Sequence, residues 1–381
     1  MTQNDAVPQE VSTEITTVTT DLSDLRQCLE GWIRTRLADP TAVISELRKP
    51  SESGMSSISI LFAVDWTEDG AQHQADLVAR LAPGDSDLPL FPGYDLELQA
   101  AVMHTVATHS TVPVPLVRWV EVSPEILGRP FVVMDRVEGV VPGDNPPYVF
   151  GSWLHGATSD QLDAVQRASV DLLAQIHAIP DPHVLLPELA GAGRGDALRR
   201  HVDTERAYYE WTRIEDGLRI PLLERGFDWL EDHWPERPSE PVLCWGDSRI
   251  GNIMYNDFRP AAVLDWEMAT VAPRELDVAW FIFFHRMFQD MAEQFGLPGL
   301  PSILRRPDVV ARYEEVAGVE LHDLDFYLVY AAIRFGIIMS RSKRRSIHFD
   351  GSPAPDNPDE YILHHHMLRT LLDGDYHWET K

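Results

Sequence analysis

Val242-Leu243-Cys244-Trp245-Gly246-Asp247-Ser248-Arg249-Ile250-Gly251-Asn252-Ile253-Met254-Tyr255, followed by Val263-Leu264-Asp265-Trp266-Glu267, is the stretch on which the reading of the chain turns. Apolar runs at 241–245, 253–255 and 261–264 have the character of short strands, and Asn256-Asp257 is a turn between the last two. Three polar residues, Asp247, Asn252 and Asp265, interrupt these runs, and a buried hairpin has no structural need of them. Two carboxylates and an amide gathered by a strand–loop–strand make an oxygen-only donor set. Mg²⁺ takes such ligands and keeps several waters beside nucleotide phosphates.

Upstream, a helix is expected over 22–37, then strands at 42–48, 56–65 and 75–82. The second strand alternates Ile58, Ile60, Phe62 and Val64, the period of a half-buried strand. A helix at 96–108 and strands at 116–122 and 131–137 complete a small α+β unit with one sheet. The turn-rich stretch 139–147 reads as a linker, and helical patterns prevail beyond it, with amphipathic segments around 162–176 and over 325–341. Residues 1–20, rich in Thr and acid, read as a flexible tail.

Asp-x-Arg-x-x-Asn, with an Asp thirteen residues after the Asn, resembles the catalytic-loop and metal-loop pattern of kinases. With Gly-Asp before and Asp-Trp-Glu after, and Arg274-Glu275-Leu276-Asp277-Val278-Ala279-Trp280 beyond, the segment is similar to the aminoglycoside phosphotransferases and the choline-kinase-like small-molecule kinases. The resemblance runs over about residues 40–345 and is densest over 242–280. It implies an α+β, two-lobed protein-kinase-like fold: a small antiparallel-sheet lobe at 21–138 for the nucleotide, and a larger, mainly helical lobe at 139–381 for catalysis and the acceptor. It implies transfer of the γ-phosphate of Mg·ATP, or of GTP in its place, to a hydroxyl of a small molecule.

The same resemblance assigns roles. Asp247 accepts or orients the acceptor hydroxyl, and Arg249 offers planar donors to the γ-phosphate. Asn252 and Asp265 hold Mg²⁺, with Glu267 reaching a second ion through water. Asp277 is structural, bracing the catalytic loop or capping the helix that follows. In the first lobe, Ser56 and Ser57 end a small-residue hairpin that can drape over phosphates. Arg80 and Glu97 correspond to the kinase pair of cation and helix carboxylate, with arginine in place of lysine; the chain has only Lys49, Lys343 and Lys381. Phe131–Gly139 resembles the hinge, so Met134, Arg136 and Val137 are expected beside the nucleobase. One residue departs from the pattern: Trp245 stands where the family usually has histidine before Gly-Asp.

Composition narrows the alternatives. The net charge of −28, spread along the chain, excludes a nucleic-acid partner and leaves a hydroxylated small molecule as the expected one. No apolar run approaches the roughly 18 residues of a membrane helix. The terminus MTQNDAVPQE has neither a basic start nor an apolar stretch, so a soluble, cytoplasmic protein is expected. Gly246-Asp247-Ser248 is not an esterase nucleophile block, since none of the 15 histidines follows an aspartate by three residues. A P-loop is excluded because no lysine follows glycine. His364-His365-His366, on a helix expected over 360–372, point in different directions and read as a solvated or partly packed surface. Arg341–Arg345 reads as a solvated helix end, with the holding of an anionic acceptor as its functional alternative. The rival to a catalyst is an inactive kinase-like binding protein: Trp245 and the lack of a glycine-loop pattern favour it, and the complete Asp247, Asn252, Asp265 set opposes it. The sequence carries no signal for an oligomeric state.

Overall fold

In the first half of the chain, hydrophobic alternation builds a sheet. The computed structural model describes residues 22–50, 57–84, 87–190 and 196–378. The expected tail at 1–20 and the hairpin residues 51–56, Ser56 among them, lie outside the described residues. Helix α1 (Leu22–Arg36) precedes β1 (Val43–Ile44), β2 (Ile58–Glu68) and β3 (Ala71–Leu81). Then come α2 (Leu96–His109), β4 (Val117–Glu121) and β5 (Phe131–Asp135). The five strands pair antiparallel in the order β1-β2-β3-β5-β4. Ile60, Phe62, Val64 and Trp66 of β2 turn to one face, where Leu29, Trp32 and Ile33 of α1 cover them with Leu77, Ala79, Phe131 and Val133.

β3 begins earlier than expected. Asp69 and Gly70, at φ +50° and +79°, form a two-residue turn whose left-handed residue conformations match the right-handed twist of the flanking strands, so β2 and β3 zip together from Glu68↔Ala71 to Ile58↔Leu81. The Asp-Gly pair was the signal for it.

After the linker, helices α3 (Ser159–His177), α4 (Pro182–Leu185), α5 (Ala197–Thr212) and α6 (Pro221–Asp232) lead to β6 (Pro241–Cys244). Strands β7 (Ile253–Asn256) and β8 (Arg259–Val263) form a hairpin, and β9 (Thr270–Pro273), which the sequence pattern does not single out, pairs with β6. Helices α7 (Glu275–Gln294), α8 (Arg306–Ala317), α9 (Leu324–Asp350) and α10 (His365–Asp373) close the chain. The large core runs through all of them and takes in Val102 and Val106 of α2. The result is the expected small antiparallel sheet followed by a mainly helical remainder.

Two expectations on this half need correction. α9 does not stop near 341 but runs to Asp350, and its arginines are no solvated end: Arg341, Arg344 and Arg345 are buried. Arg341 donates to the Pro89 carbonyl at 3.0 Å, and Arg344 grips Asp216 at 2.7 Å and 3.2 Å. Arg341 and Arg344 thus tie α9 to neighbouring loops. The helix expected over 360–372 begins only at His365, and His364 is buried with Nε2 2.8 Å from the Ala332 carbonyl oxygen.

Candidate active site

The linker is bound to the second half rather than loose. Val140 and Tyr255 exchange main-chain hydrogen bonds of 2.9 and 2.8 Å, and a Cβ on Gly139 would fall 2.9 Å from the Tyr255 carbonyl oxygen. This brings the linker over the loop between β6 and β7, and with it Asp144.

That loop is held from below by Asp277, the third residue of α7. One carboxylate oxygen accepts from the Trp245 N–H at 2.6 Å and the other from the Gly246 N–H at 2.8 Å. Ser248 Oγ donates to the Asp277 carbonyl at 2.8 Å. His177 Nε2 lies 3.1 Å from the same carboxylate, and its Nδ1 lies 2.7 Å from the Tyr313 hydroxyl. Asp277 is wholly buried, so these partners stand in for water, and its part is the expected bracing. His177, Cys244 and Asp277 also bring their ligand atoms within 4.8 Å of one another. Each is already engaged by protein groups, Cys244 Sγ lying 3.5 Å from the Ala272 carbonyl oxygen, so the cluster is a brace and not a metal centre. Gly246, at φ +91°, has no room for a side chain: a Cβ there would sit 1.9 Å from the Met268 carbonyl oxygen.

Above this brace Asp247 is gripped from three sides. Trp280 Nε1 donates to it at 2.8 Å, Arg249 Nε at 3.0 Å and Asn252 Nδ2 at 2.6 Å. Because the Asn252 amide nitrogen is spent on Asp247, its Oδ1 is the atom left for a cation. Arg249 reaches past Asp247 to pair through Nη1 with Asp144, and its guanidinium carbon lies 5.1 Å from the centre of the Phe284 ring. Gly251 lets these groups meet, since a Cβ there would fall 2.7 Å from both Arg249 Nη1 and Asp144 Oδ1. Burial raises the Asp144 carboxyl above its ordinary value; Asp247 and Asp265 add to this, and Arg249 pulls against it. Burial also opposes the Arg249 charge, but Asp144 and Asp247 more than offset it and hold the guanidinium protonated. Asp144 escaped the sequence reading: it sits in a turn-rich linker, and its partner is 105 residues away.

The loop between β8 and β9 carries Asp265 and Glu267. Arg80 of β3 reaches down to them, with Nη2 2.6 Å from Asp265 Oδ1 and 3.6 Å from Glu267 Oε2. Its Nε donates to Ser57 Oγ at 2.6 Å. Burial works against the Arg80 charge, and the two carboxylates more than compensate, leaving it above its ordinary value. The structure therefore does not form the expected Arg80–Glu97 pair. Glu97 is exposed on the first turn of α2, while two carboxylates of the other lobe lie within reach of Arg80 and win its charge. Of the hinge residues, Met134 faces Val78 and Val117 inside the sheet. The Arg136 N–H donates to the Asp76 carbonyl at 2.9 Å, so it is not available to a nucleobase. Val137 follows it, half-buried, at the start of the connection. A cavity of about 640 Å³ opens beside the site, lined by Tyr94, Glu97, Val102, Leu189, Trp266 and Glu267.

A model of the phosphotransferase enzyme family matches residues 64–302, more than half of the chain, and the chain belongs to that family. A candidate aminoglycoside phosphotransferase of Ralstonia eutropha superposes with a TM-score of 0.62 at 20% identity, covering 92% of this chain and 96% of that one. The aminoglycoside phosphotransferase APH(4)-Ia, crystallised with ADP and hygromycin B, superposes at 0.54 with 16% identity over 92% and 99% of the two chains. At these identities the likeness speaks to the fold, which is the kinase-like one. Among curated proteins the chain is 26% identical over 291 residues to acyl-CoA dehydrogenase family member 10 of Mus musculus, covering 73% of this chain and 25% of the relative. It is 26% identical over 271 residues to a probable acyl-CoA dehydrogenase of Arabidopsis thaliana, covering 68% and 32%. The chain thus spans a quarter to a third of the length of these curated relatives. No helix among the described residues is long and apolar enough to cross a membrane.

Proposed function

We propose that the protein transfers the γ-phosphate of ATP to a hydroxyl of a small molecule. One observation carries the reading: in a chain of the phosphotransferase family, Asp247, Asn252 and Asp265 stand on one hydrogen-bonded frame. Asn252 donates its side-chain nitrogen to Asp247, and its carbonyl accepts from the Leu264 N–H at 2.8 Å, next to Asp265. Such a frame fits the chemistry, because phosphoryl transfer asks for placement and charge neutralisation more than for bond-making by the enzyme.

Asp247 orients the acceptor hydroxyl and takes its proton as the oxygen bonds to the γ-phosphorus and the bond from that phosphorus to the departing ADP breaks. Arg249 is fixed by Asp144 and Asp247, and its remaining donors serve the γ-phosphate. The oxygen donors of Asn252 and Asp265, with Glu267 alongside, would hold Mg²⁺, which would neutralise charge on the nucleotide phosphates. Arg80 exchanges its carboxylate partners for the α- and β-phosphates when the nucleotide enters. Ser56, Ser57, Met134 and Val137 are the further nucleotide contacts on this reading. GTP is the alternative donor.

Two groups of similar proteins order the acceptors to be tried. Hydroxy acids and hydroxyacyl thioesters come first, because the curated relatives are named acyl-CoA dehydrogenases. Aminoglycosides come second, since a structural neighbour holds hygromycin B. The test is Mg²⁺-dependent ATP consumption by the purified protein with such a panel, and with Asp247→Ala as control. Acceptor-stimulated turnover that disappears in the control supports the proposal. Nucleotide binding without turnover across the panel makes the chain a kinase-like binding protein instead, and absence of nucleotide binding refutes both.

A further inference from the structure

Trp245 is fully buried, and its two N–H groups work in opposite directions. The main-chain N–H goes down to Asp277 at 2.6 Å. The indole Nε1–H goes across to the metal loop, where it is shared between the Leu264 carbonyl at 2.9 Å and the Asp265 carbonyl at 3.1 Å. Those carbonyls belong to the two peptide planes that flank the Asp265 Cα. Since each plane is rigid, a donor that engages both fixes the φ and ψ between them. Asp265 needs such fixing: its φ is +62°, a left-handed conformation that a residue with a Cβ keeps only where its surroundings impose it. The turn in the backbone is also what sends the Asp265 carboxylate toward Arg80 and the other site residues.

We propose that Trp245 is a positioning residue for the Mg²⁺ seat, its indole N–H setting the backbone turn that aims the Asp265 carboxylate. The inference deepens the proposed function and rests on its reading of Asp265 as a metal ligand. Trp245 stands where the family resemblance leads one to expect histidine, so this is a property of the chain's own sequence. Trp245 also packs 5.9 Å, centre to centre, from Trp266, which allows the hydrogen bond to be removed while an aromatic ring stays in place.

The test compares the full-length protein with Trp245→Phe, Trp245→His and Asp265→Ala. Binding of the non-hydrolysable analogue AMP-PNP is measured by calorimetry with Mg²⁺ and again with EDTA. The quantity of interest is the gain in affinity that Mg²⁺ confers, because a residue that merely holds the fold would change both affinities alike. Trp245→Phe is expected to cut that gain about tenfold, the effect of one lost shared hydrogen bond, with the Mg²⁺-free affinity within about twofold of wild type. Trp245→His, which restores a ring N–H, is expected to recover part of it. A wild-type gain in Trp245→Phe, with the gain lost in Asp265→Ala, overturns the role of Trp245 alone. A wild-type gain in Asp265→Ala overturns the ligand reading and this inference with it. Should Trp245→Phe fail to fold, as judged by melting, Trp245→His decides: a gain near wild type supports the N–H, and a gain as low as that of Asp265→Ala refutes it.

Discussion

The floor of the site and its roof are built on different plans. In the floor, made by β6 to β9 and α7, each polar side chain is held by several others. Asp277 engages two main-chain amides and His177, and Asp247 engages Trp280, Arg249 and Asn252. In the roof, made by β2 to β5 and α2, β3 pairs without interruption with β2 and β5, and among the described residues Arg80, hydrogen-bonded to Ser57, reaches the carboxylates of the site. Glu97 and Arg136 face outward. The bracing of the floor thus fixes its geometry, and Arg80 is one of the contacts by which the roof reaches it, beside the 2.8 Å bond from the Val263 N–H to the Pro113 carbonyl.

The largest expected effect falls on the floor. Asp247→Ala removes the group proposed to orient the hydroxyl and should lower acceptor-dependent turnover by about 10³-fold, the range usual for a positioned general base. Nucleotide affinity, measured separately, should stay within a few-fold. A variant that transfers phosphate at nearly the wild-type rate would break the assignment. Next comes Gly246→Ala. The left-handed backbone alone costs about 1–2 kcal/mol with a Cβ present, and the Cβ must also displace the Met268 carbonyl, 1.9 Å away. Lower stability in urea and a loss of turnover together are the expected outcome. Wild-type values for both would show that the loop is looser than the bracing implies.

How legible each region was follows from the same contrast. In the floor, chemistry and structure share a short span: Gly246, Asp247, Asn252 and Asp265 lie within twenty residues, so spacing alone carried the pattern. The roof required pairings across long separations. Arg80 was recognisable as a lone cation in an apolar strand, but its partners Asp265 and Glu267 are more than 180 residues away, and the resemblance to kinases pointed to Glu97 instead. Asp144 failed for the same reason. The buried arginines of α9 failed for another: a charge cluster reads as solvated unless the carboxylates that neutralise it are known, and Asp216 and Glu215 come from a separate loop.

Acid offers a smaller effect that sharpens the comparison. His285 and His364 lie in the helical core beneath the floor, and burial foremost lowers each to about 4 from 6.5. Between those values the unfolded chain binds protons that the folded chain refuses. Stability is therefore fully present above about pH 6.5 and falls as the pH drops toward 4, by about 3 kcal/mol for each ring. Urea midpoints at pH 7 and pH 4.5 should show this loss, and His364→Phe should reduce its steepness. An unchanged slope in that variant would assign the acid sensitivity to other groups.

The smallest expected effect is the one that tells the two regions apart most sharply. Glu97→Ala removes an exposed side chain from the first turn of α2, where a carboxylate contributes about 0.3–1 kcal/mol through the helix dipole and little else. Nucleotide affinity should be unchanged within about twofold, against a loss of about tenfold or more for Arg80→Ala, which removes a half-buried charge-assisted donor. If the two variants lost affinity equally and the double variant lost no more than either, Arg80 and Glu97 would be acting as a pair. Nucleotide entry would then have to draw Arg80 away from Asp265 and Glu267 toward α2, and the roof would rearrange while the floor stayed fixed. Independent effects would instead show that Arg80 serves the nucleotide without Glu97.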